Sequence, residues 1–229
     1  MAIGAGRLGL EAAATAHRTL ADRAFSALHD AIVAGALAPG ERLPIEELGE
    51  ALGMSAMPIR EALRRLDAAG LVENVPHRGA RVTELSIADL AEVYEARLAL
   101  EPLAVRRAAQ RFTAEQAAVA SERLAVLNAL DDDNSPETWA AHTAFHFALY
   151  DAAESVWLSR LIRPLWETSQ RYRLALRIER KLDTRRDEHD AILQACIDHD
   201  ADGAAASLHT HLITTANVVA EAMGGGPLF

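Results

Sequence analysis

The chain has 229 residues, enough for one large domain or two modest ones, with 50% hydrophobic and 5% aromatic residues and a formal net charge of −10. That balance excludes a protein that coats nucleic acid through bulk charge, and a core so poor in aromatics has to be built from Leu, Ala, Val and Ile. The single cysteine, Cys196, excludes an intrachain disulfide, and no apolar run approaches the ~20 residues of a membrane span; a cytoplasmic protein with no membrane partner is expected.

Residues 1–15 are rich in Ala and Gly, carry no periodicity and read as a disordered tail. A first domain is expected over residues 16–85. Leu20, Ala24, Phe25, Leu28 and Ile32 keep a helical period that Gly35 and Pro39-Gly40 close. A short helix follows over Ile45–Leu52, then a tight turn at Gly53 and a helix from about Ser55 to Ala69. In that helix Ile59, Leu63 and Leu66 recur at i, i+4, i+7 and face a core, whereas Arg60, Arg64 and Arg65 lie off the stripe. Ser55 suits the N-cap and Gly70 the stop. Leu71-Val72-Glu73 and Ala80-Arg81-Val82, around Pro76-His77-Arg78-Gly79, have the composition of a basic hairpin wing.

A helix with an arginine face, held to a preceding helix by a glycine turn, is the plan of a helix-turn-helix DNA reader. Charge distribution agrees: residues 54–81 hold five arginines against Glu61, Asp67 and Glu73, whereas residues 86–229 hold 22 acids against 14 basic side chains.

A second domain is expected over residues 86–223, with 224–229 as a flexible tail. Ser86 and Asp89 open a long helix interrupted in pattern by Pro102, and Thr113 with Gln116 makes a capping box. Ser135-Pro136 starts another helix, Val156 a further one containing Pro164, and Asp183 and Asp202 look like the starts of the last two. Nothing after residue 85 reads as a strand. The fold class expected is mainly α: a winged helix-turn-helix followed by an all-helical bundle of six or seven helices.

Six of the nine histidines fall in the second domain. His142 and His146 are at i, i+4, one turn apart on the same helix face. His189 and His211 belong to the last two helices, and an antiparallel pair brings them level. Four imidazoles meeting inside a bundle suit Zn²⁺ or another first-row divalent ion such as Ni²⁺. The alternative is that each histidine is an ordinary residue with its own hydrogen bond. His209, two residues from His211, points away.

The stretch LGMSAMPIREALRRLDAAGLV with PHRGARV resembles the winged reader of the GntR superfamily of transcription regulators. Tyr94-Glu95-Ala96-Arg97, Glu101-Pro102-Leu103, Phe145-His146, Glu188-His189-Asp190-Ala191-Ile192 and His211-Leu212 resemble the FCD-type ligand domain of its FadR-like branch. The resemblance spans about residues 20 to 215. It implies His146, His189 and His211 as metal ligands, with His142 where the family commonly has Asp. Four neutral imidazoles leave the full charge on the ion and favour an anionic ligand. The resemblance also implies a small carboxylate effector paired by Arg97, with Arg171 and Arg173 as further candidates; for Arg97 the competing role is an ion pair with Glu101.

In the reader the resemblance makes Arg60 the first candidate for a guanine contact, with Arg64 second. Ser55 suits a phosphate at the helix N-terminus. Ala56 and Met57 stand where relatives carry a polar or basic pair, so Met57 offers apolar contact only. His77, Arg78 and Gly79 form the wing tip. The expected protein is a homodimer on double-stranded operator DNA, responsive to a ligand and not an enzyme. A zinc hydrolase in the bundle is the rival, without an HExxH sequence to support it, and a metal-stabilised regulator lacking an effector is a third reading.

Overall fold

Thr19 sets the first helix: its extended backbone and its hydroxyl, which accepts from the Asp22 amide, cap α1 (Leu20–Val33). In this computed structural model residues 19–75, 79–132, 135–178 and 182–229 are described; the expected N-terminal tail, His77 and Arg78 lie outside them. The chain divides into two units, one running through Ser86 and including residues 170–175, the other comprising residues 87–169 and 176–229.

In the first unit α1 is followed by α2 (Ile45–Leu52) and α3 (Ala56–Ala68). Gly53 ends α2 in the left-handed region at φ 63°, a conformation that costs a glycine little, and so makes the tight turn into α3. Ile59, Ala62, Leu63 and Leu66 form the buried stripe of α3 and pack with Leu28, Ile32, Leu37 and Leu48. Truncating one of these leucines to alanine is expected to cost about 2–5 kcal/mol, because the cavity left cannot fully collapse. The wing is an antiparallel pair, β1 (Val72–Val75) and β2 (Gly79–Val82), with Val72 opposite Val82 and Val75 opposite Gly79. A third edge joins it. Arg42 bridges to Arg81, the Leu43 amide donates to the Ala80 carbonyl, and the Val82 amide donates to the Glu41 carbonyl, both at 2.9 Å.

Among the described residues the second unit contains six helices: α4 (Ile87–Ala109), α5 (Ala114–Asn128), α6 (Pro136–Asp151), α7 (Val156–Ala175, its end grouped with the first unit), α8 (Leu182–Ile197) and α9 (Ala201–Ala222). No strand follows Val82 among the described residues. α4 lies along α9, α5 packs on α6 and α8, and α8 packs on α9. Thr113 and Gln116 make the reciprocal capping box, and Ser135 caps α6 with Pro136 in its first turn.

The last helix starts differently from the sequence expectation. Asp200, not Asp202, is its cap, accepting from the Gly203 amide at 2.9 Å. A Cβ on residue 203 would sit 2.2 Å from the Asp200 carboxylate, so glycine there permits the cap. Asp183 falls just inside α8, which begins at Leu182. Residues 224–229, expected as a flexible tail, turn back along α9, where the Asn217 side-chain oxygen accepts from the Leu228 and Phe229 amides.

Candidate metal centre and nucleic-acid interface

α3 separates its two faces by helical period. Met57, Arg60 and Arg64 lie at i, i+3, i+7 opposite the buried stripe, and all three are exposed, Met57 by 74%. Neither Arg60 nor Arg64 pairs with an acid among the described residues. Ser55 sits at the N-cap with its side chain uninvolved in capping. Its hydroxyl is thereby left to act outward beside the amides of the first turn. Arg65 is different: NH1 donates to Asp22 at 2.9 Å, and the guanidinium lies 4.2 Å over the Phe25 ring, so it joins α3 to α1. Gly79 opens β2 at φ 82° and is exposed. Beside the wing a cleft of about 130 Å³ is lined by Gly40, Arg42, Val75, Gly79 and Arg81. Arg81 is tied to Glu73 and Glu84, which leaves Arg42, among the described residues, as the cation not engaged by an acid there. The place of Arg42 beside the wing was not legible in the sequence, because the backbone bridge to Arg81 is what brings it there.

In the bundle His142 and His146 project from one face of α6, His189 from α8 and His211 from α9. All four are buried, and one ligating atom of each lies within 4.8 Å of the others. His146 and His189 face each other through Nε2 atoms 3.2 Å apart. Zn–N bonds of about 2.0–2.1 Å place the nitrogens of a tetrahedral set roughly 3.3 Å apart, so this pair already has the spacing of one edge. The donor set fits a first-row divalent ion: four imidazoles, enclosed and converging. His142 completes it while stacking on Trp166, ring centroids 5.1 Å apart and 30° between planes. His209 is exposed and takes no part.

Behind the histidines stands a set of groups of which the sequence offered only the Arg97–Glu101 pair, as the competing role for Arg97. The Glu188 carboxylate is 2.6 Å from His211 Nδ1. Tyr150 donates its hydroxyl to Glu101 Oε2 at 2.6 Å and stands 3.1 Å from His146 Nδ1. Arg97 grips Glu101 through Nε at 2.5 Å and NH2 at 3.2 Å, and its NH1 donates to Ser169 at 2.7 Å. Burial is the largest single influence and opposes the Arg97 cation, but Glu101 together with Tyr94 and Tyr150 outweighs it and holds the guanidinium above its ordinary value. Burial, and after it the Glu101 charge, push the Tyr150 phenol well above its usual range, so it remains a donor.

The three candidate effector arginines are thus in different places. Arg97 stands behind the cluster, 5.0 Å over the Trp166 ring that packs on His142 and His146. Arg171 directs NH1 to the Thr83 carbonyl in the first unit, and Arg173 is buried in the same unit's 170–175 segment.

Comparison with known proteins follows the same two parts. Residues 20–82 match the family described as bacterial regulatory proteins, gntR family, and residues 92–214 match the FCD domain. The chain is 32% identical over 212 residues to the HTH-type transcriptional regulator BphR of Paraburkholderia xenovorans, covering 89% of this chain and 86% of that one. It is 29% identical over 210 residues to the HTH-type transcriptional repressor GlaR of Escherichia coli, covering 86% and 94%. Among solved structures, E. coli McbR/YncC superposes with a TM-score of 0.76 at 25% identity, over 90% of this chain and 99% of that one.

Proposed function

The chain belongs to the gntR family of bacterial regulatory proteins and carries an FCD domain behind its DNA reader, and on that premise we propose a ligand-responsive regulator whose bundle holds a divalent metal and a small carboxylate. The family and its relatives are transcription regulators, not enzymes, and they bind operator DNA through the helix-turn-helix. The finer parts of the reading concern which residues act and what they bind.

In the reader, Arg60 and Arg64 meet base edges in the major groove, since a guanidinium presents paired donors that match guanine. Met57 offers apolar contact, and Ser55, His77, Arg78 and Gly79 make backbone contacts. Arg42 adds a phosphate contact beside the wing. Two copies bind a pseudo-palindromic operator in the cytoplasm, because one reader covers only half a symmetric site.

In the bundle, His142, His146, His189 and His211 hold the ion, Zn²⁺ or Ni²⁺. The observation that carries this is the enclosure of four imidazoles within 4.8 Å of one another. When bound, the ion supplies a positive centre able to take a carboxylate oxygen. Among the described residues Arg97 has three of its five N–H groups engaged, by Glu101 and Ser169, and the remaining two are left for the effector's second oxygen. Arg171 and Arg173 are the weaker options. Coupling of about 1–3 kcal/mol between effector and operator is enough to change affinity roughly 5- to 150-fold.

A second reading has one observation in its favour. Four protein ligands close a tetrahedral shell, the arrangement of structural zinc sites, and a regulator stabilised by metal without an effector follows from it. The test is binding of full-length protein to DNA fragments flanking its own gene, with and without chelator, across a panel of small carboxylates. A carboxylate-dependent affinity change that chelator abolishes supports the first reading; a chelator effect alone supports the second. No fragment bound more tightly than random DNA at moderate salt would sink both.

A further inference from the structure

The hydrogen bonds behind the histidines constrain where the protons sit. Arg97 donates to both oxygens of Glu101, so that group is a carboxylate and only accepts. Tyr150, 2.6 Å from Glu101 Oε2, must therefore donate to it. The Tyr150 oxygen is then an acceptor toward His146 Nδ1 at 3.1 Å, which places a hydrogen on that nitrogen. In a neutral ring this leaves Nε2 bare, and Nε2 is the atom that faces His189 at 3.2 Å. His211 follows the same logic by a shorter route. Its Nδ1 is 2.6 Å from Glu188 Oε2, which places the hydrogen on Nδ1 and leaves Nε2 the unprotonated nitrogen of a neutral ring.

We propose that Glu188, and the relay Arg97–Glu101–Tyr150, are positioning groups that fix His211 and His146 with Nδ1 protonated and Nε2 presented to the metal. The inference rests on the metal reading of the four histidines. A carboxylate on the far nitrogen of a ligating imidazole orients the ring and raises its basicity, at the cost, when it is lost, of about 10- to 100-fold in metal affinity. The two supports differ in charge. Glu101 is matched by the Arg97 cation, so its arm orients His146 through a neutral hydroxyl. Glu188 acts on His211 directly and lends it anionic character. Their places in the chain are independent: Glu188 precedes the ligand His189 on α8 but, about 100° round the helix, reaches α9 instead.

The test reads tautomers and affinity separately. Full-length protein labelled with ¹⁵N-histidine is compared with and without zinc, and zinc affinity is measured by competition with a chromophoric chelator. Expected are protonated Nδ1 and metal-bound Nε2 at His146 and His211. Glu188→Ala should bind zinc about 10- to 100-fold more weakly, with His211 losing its tautomer preference. Glu188→Gln keeps an acceptor oxygen, so it should keep the tautomer and lose part of the affinity. Tyr150→Phe should disturb His146 alone, and it carries the test if the Glu188 variants fail to fold. Protonated Nε2 at either histidine, or affinity unchanged in Glu188→Ala and Tyr150→Phe, overturns the proposal. If the wild type takes up no stoichiometric zinc, the metal reading itself fails, and the tautomers of the metal-free protein still decide the hydrogen-bond relay.

Discussion

Arg65 of the reading helix is turned inward to Asp22 of α1, with NH1 2.9 Å from the carboxylate and its guanidinium stacked on Phe25. Of the three arginines off the apolar stripe, it is the one spent on holding the reader together. Arg65→Ala should lower the urea midpoint and leave the salt dependence of operator binding unchanged. A salt slope reduced by about 1, as for loss of a phosphate contact, would show instead that Arg65 touches DNA.

The same pair has a pH signature. The Thr19 hydroxyl first, and Arg65 with it, hold the Asp22 carboxyl below its ordinary value. A group depressed in the folded state contributes stability above its unfolded pKa and loses it as pH falls through the folded value. The melting-temperature gap between wild type and Asp22→Asn should be full at neutral pH and should close below about pH 4. A gap that persists into strong acid would assign the effect to something other than the Asp22 charge.

Arg60 and Arg64 make the opposite prediction. Arg60→Ala should weaken operator binding by about 1–3 kcal/mol and relax sequence preference at one position per half-site, with folding stability unchanged. Fluorescence anisotropy on a set of single-base operator variants reads it. Equal weakening across all variants would make Arg60 a phosphate contact.

The reader was largely legible in the chain because its signals are local. Leu20–Val33 and Ile45–Leu52 start and stop where the glycines and the 3.6-residue period put them. The bundle's start signals were ambiguous where acids repeat: Asp200 and Asp202 both suit a cap, and the space left by Gly203 decides between them. The i, i+4 spacing of His142 and His146 marks one face of a helix. That His189 and His211 meet it depends on packing between α6, α8 and α9, which no local signal carries. Glu188 was harder still, since on its own helix it points away from His189 and its partner lies on α9.

The buried pair Arg97–Glu101 supports a stability prediction. Removing one partner leaves a buried charge without its match, which costs about 3–5 kcal/mol, so Glu101→Ala should unfold at markedly lower urea. Arg97→Met with Glu101→Leu removes both charges and should recover most of that loss. Failure of the double variant to recover would show that Tyr150 and Ser169 depend on the pair for more than its charge.

Cys196 on α8 is fully buried, and burial pushes its thiol up to about 12. At neutral pH it should resist a water-soluble thiol reagent in the native protein and react at once in denaturant. Labelling in native buffer then reports opening of α8. Immediate stoichiometric labelling without denaturant would contradict the burial.

The two readings proposed for the histidine cluster, an ion that only braces the bundle and one that also receives an effector, differ in coordination number. Four imidazoles fill a tetrahedral set, so zinc held by all four has no place for a carboxylate unless its shell expands. An ion that prefers six ligands, such as Ni²⁺, keeps two positions. Chelator-treated protein should therefore melt lower than either loaded form, because an ion bound to the folded state alone stabilises it. In the nickel-loaded form, a carboxylate at about 100 times its Kd should add roughly 2.7 kcal/mol of stability. The zinc-loaded form should gain little from the same compound. Thermal melts of the three forms across a carboxylate panel measure this directly. Equal carboxylate shifts in the chelated and loaded forms would place the effector away from the histidines and leave Arg97 without a role in binding it.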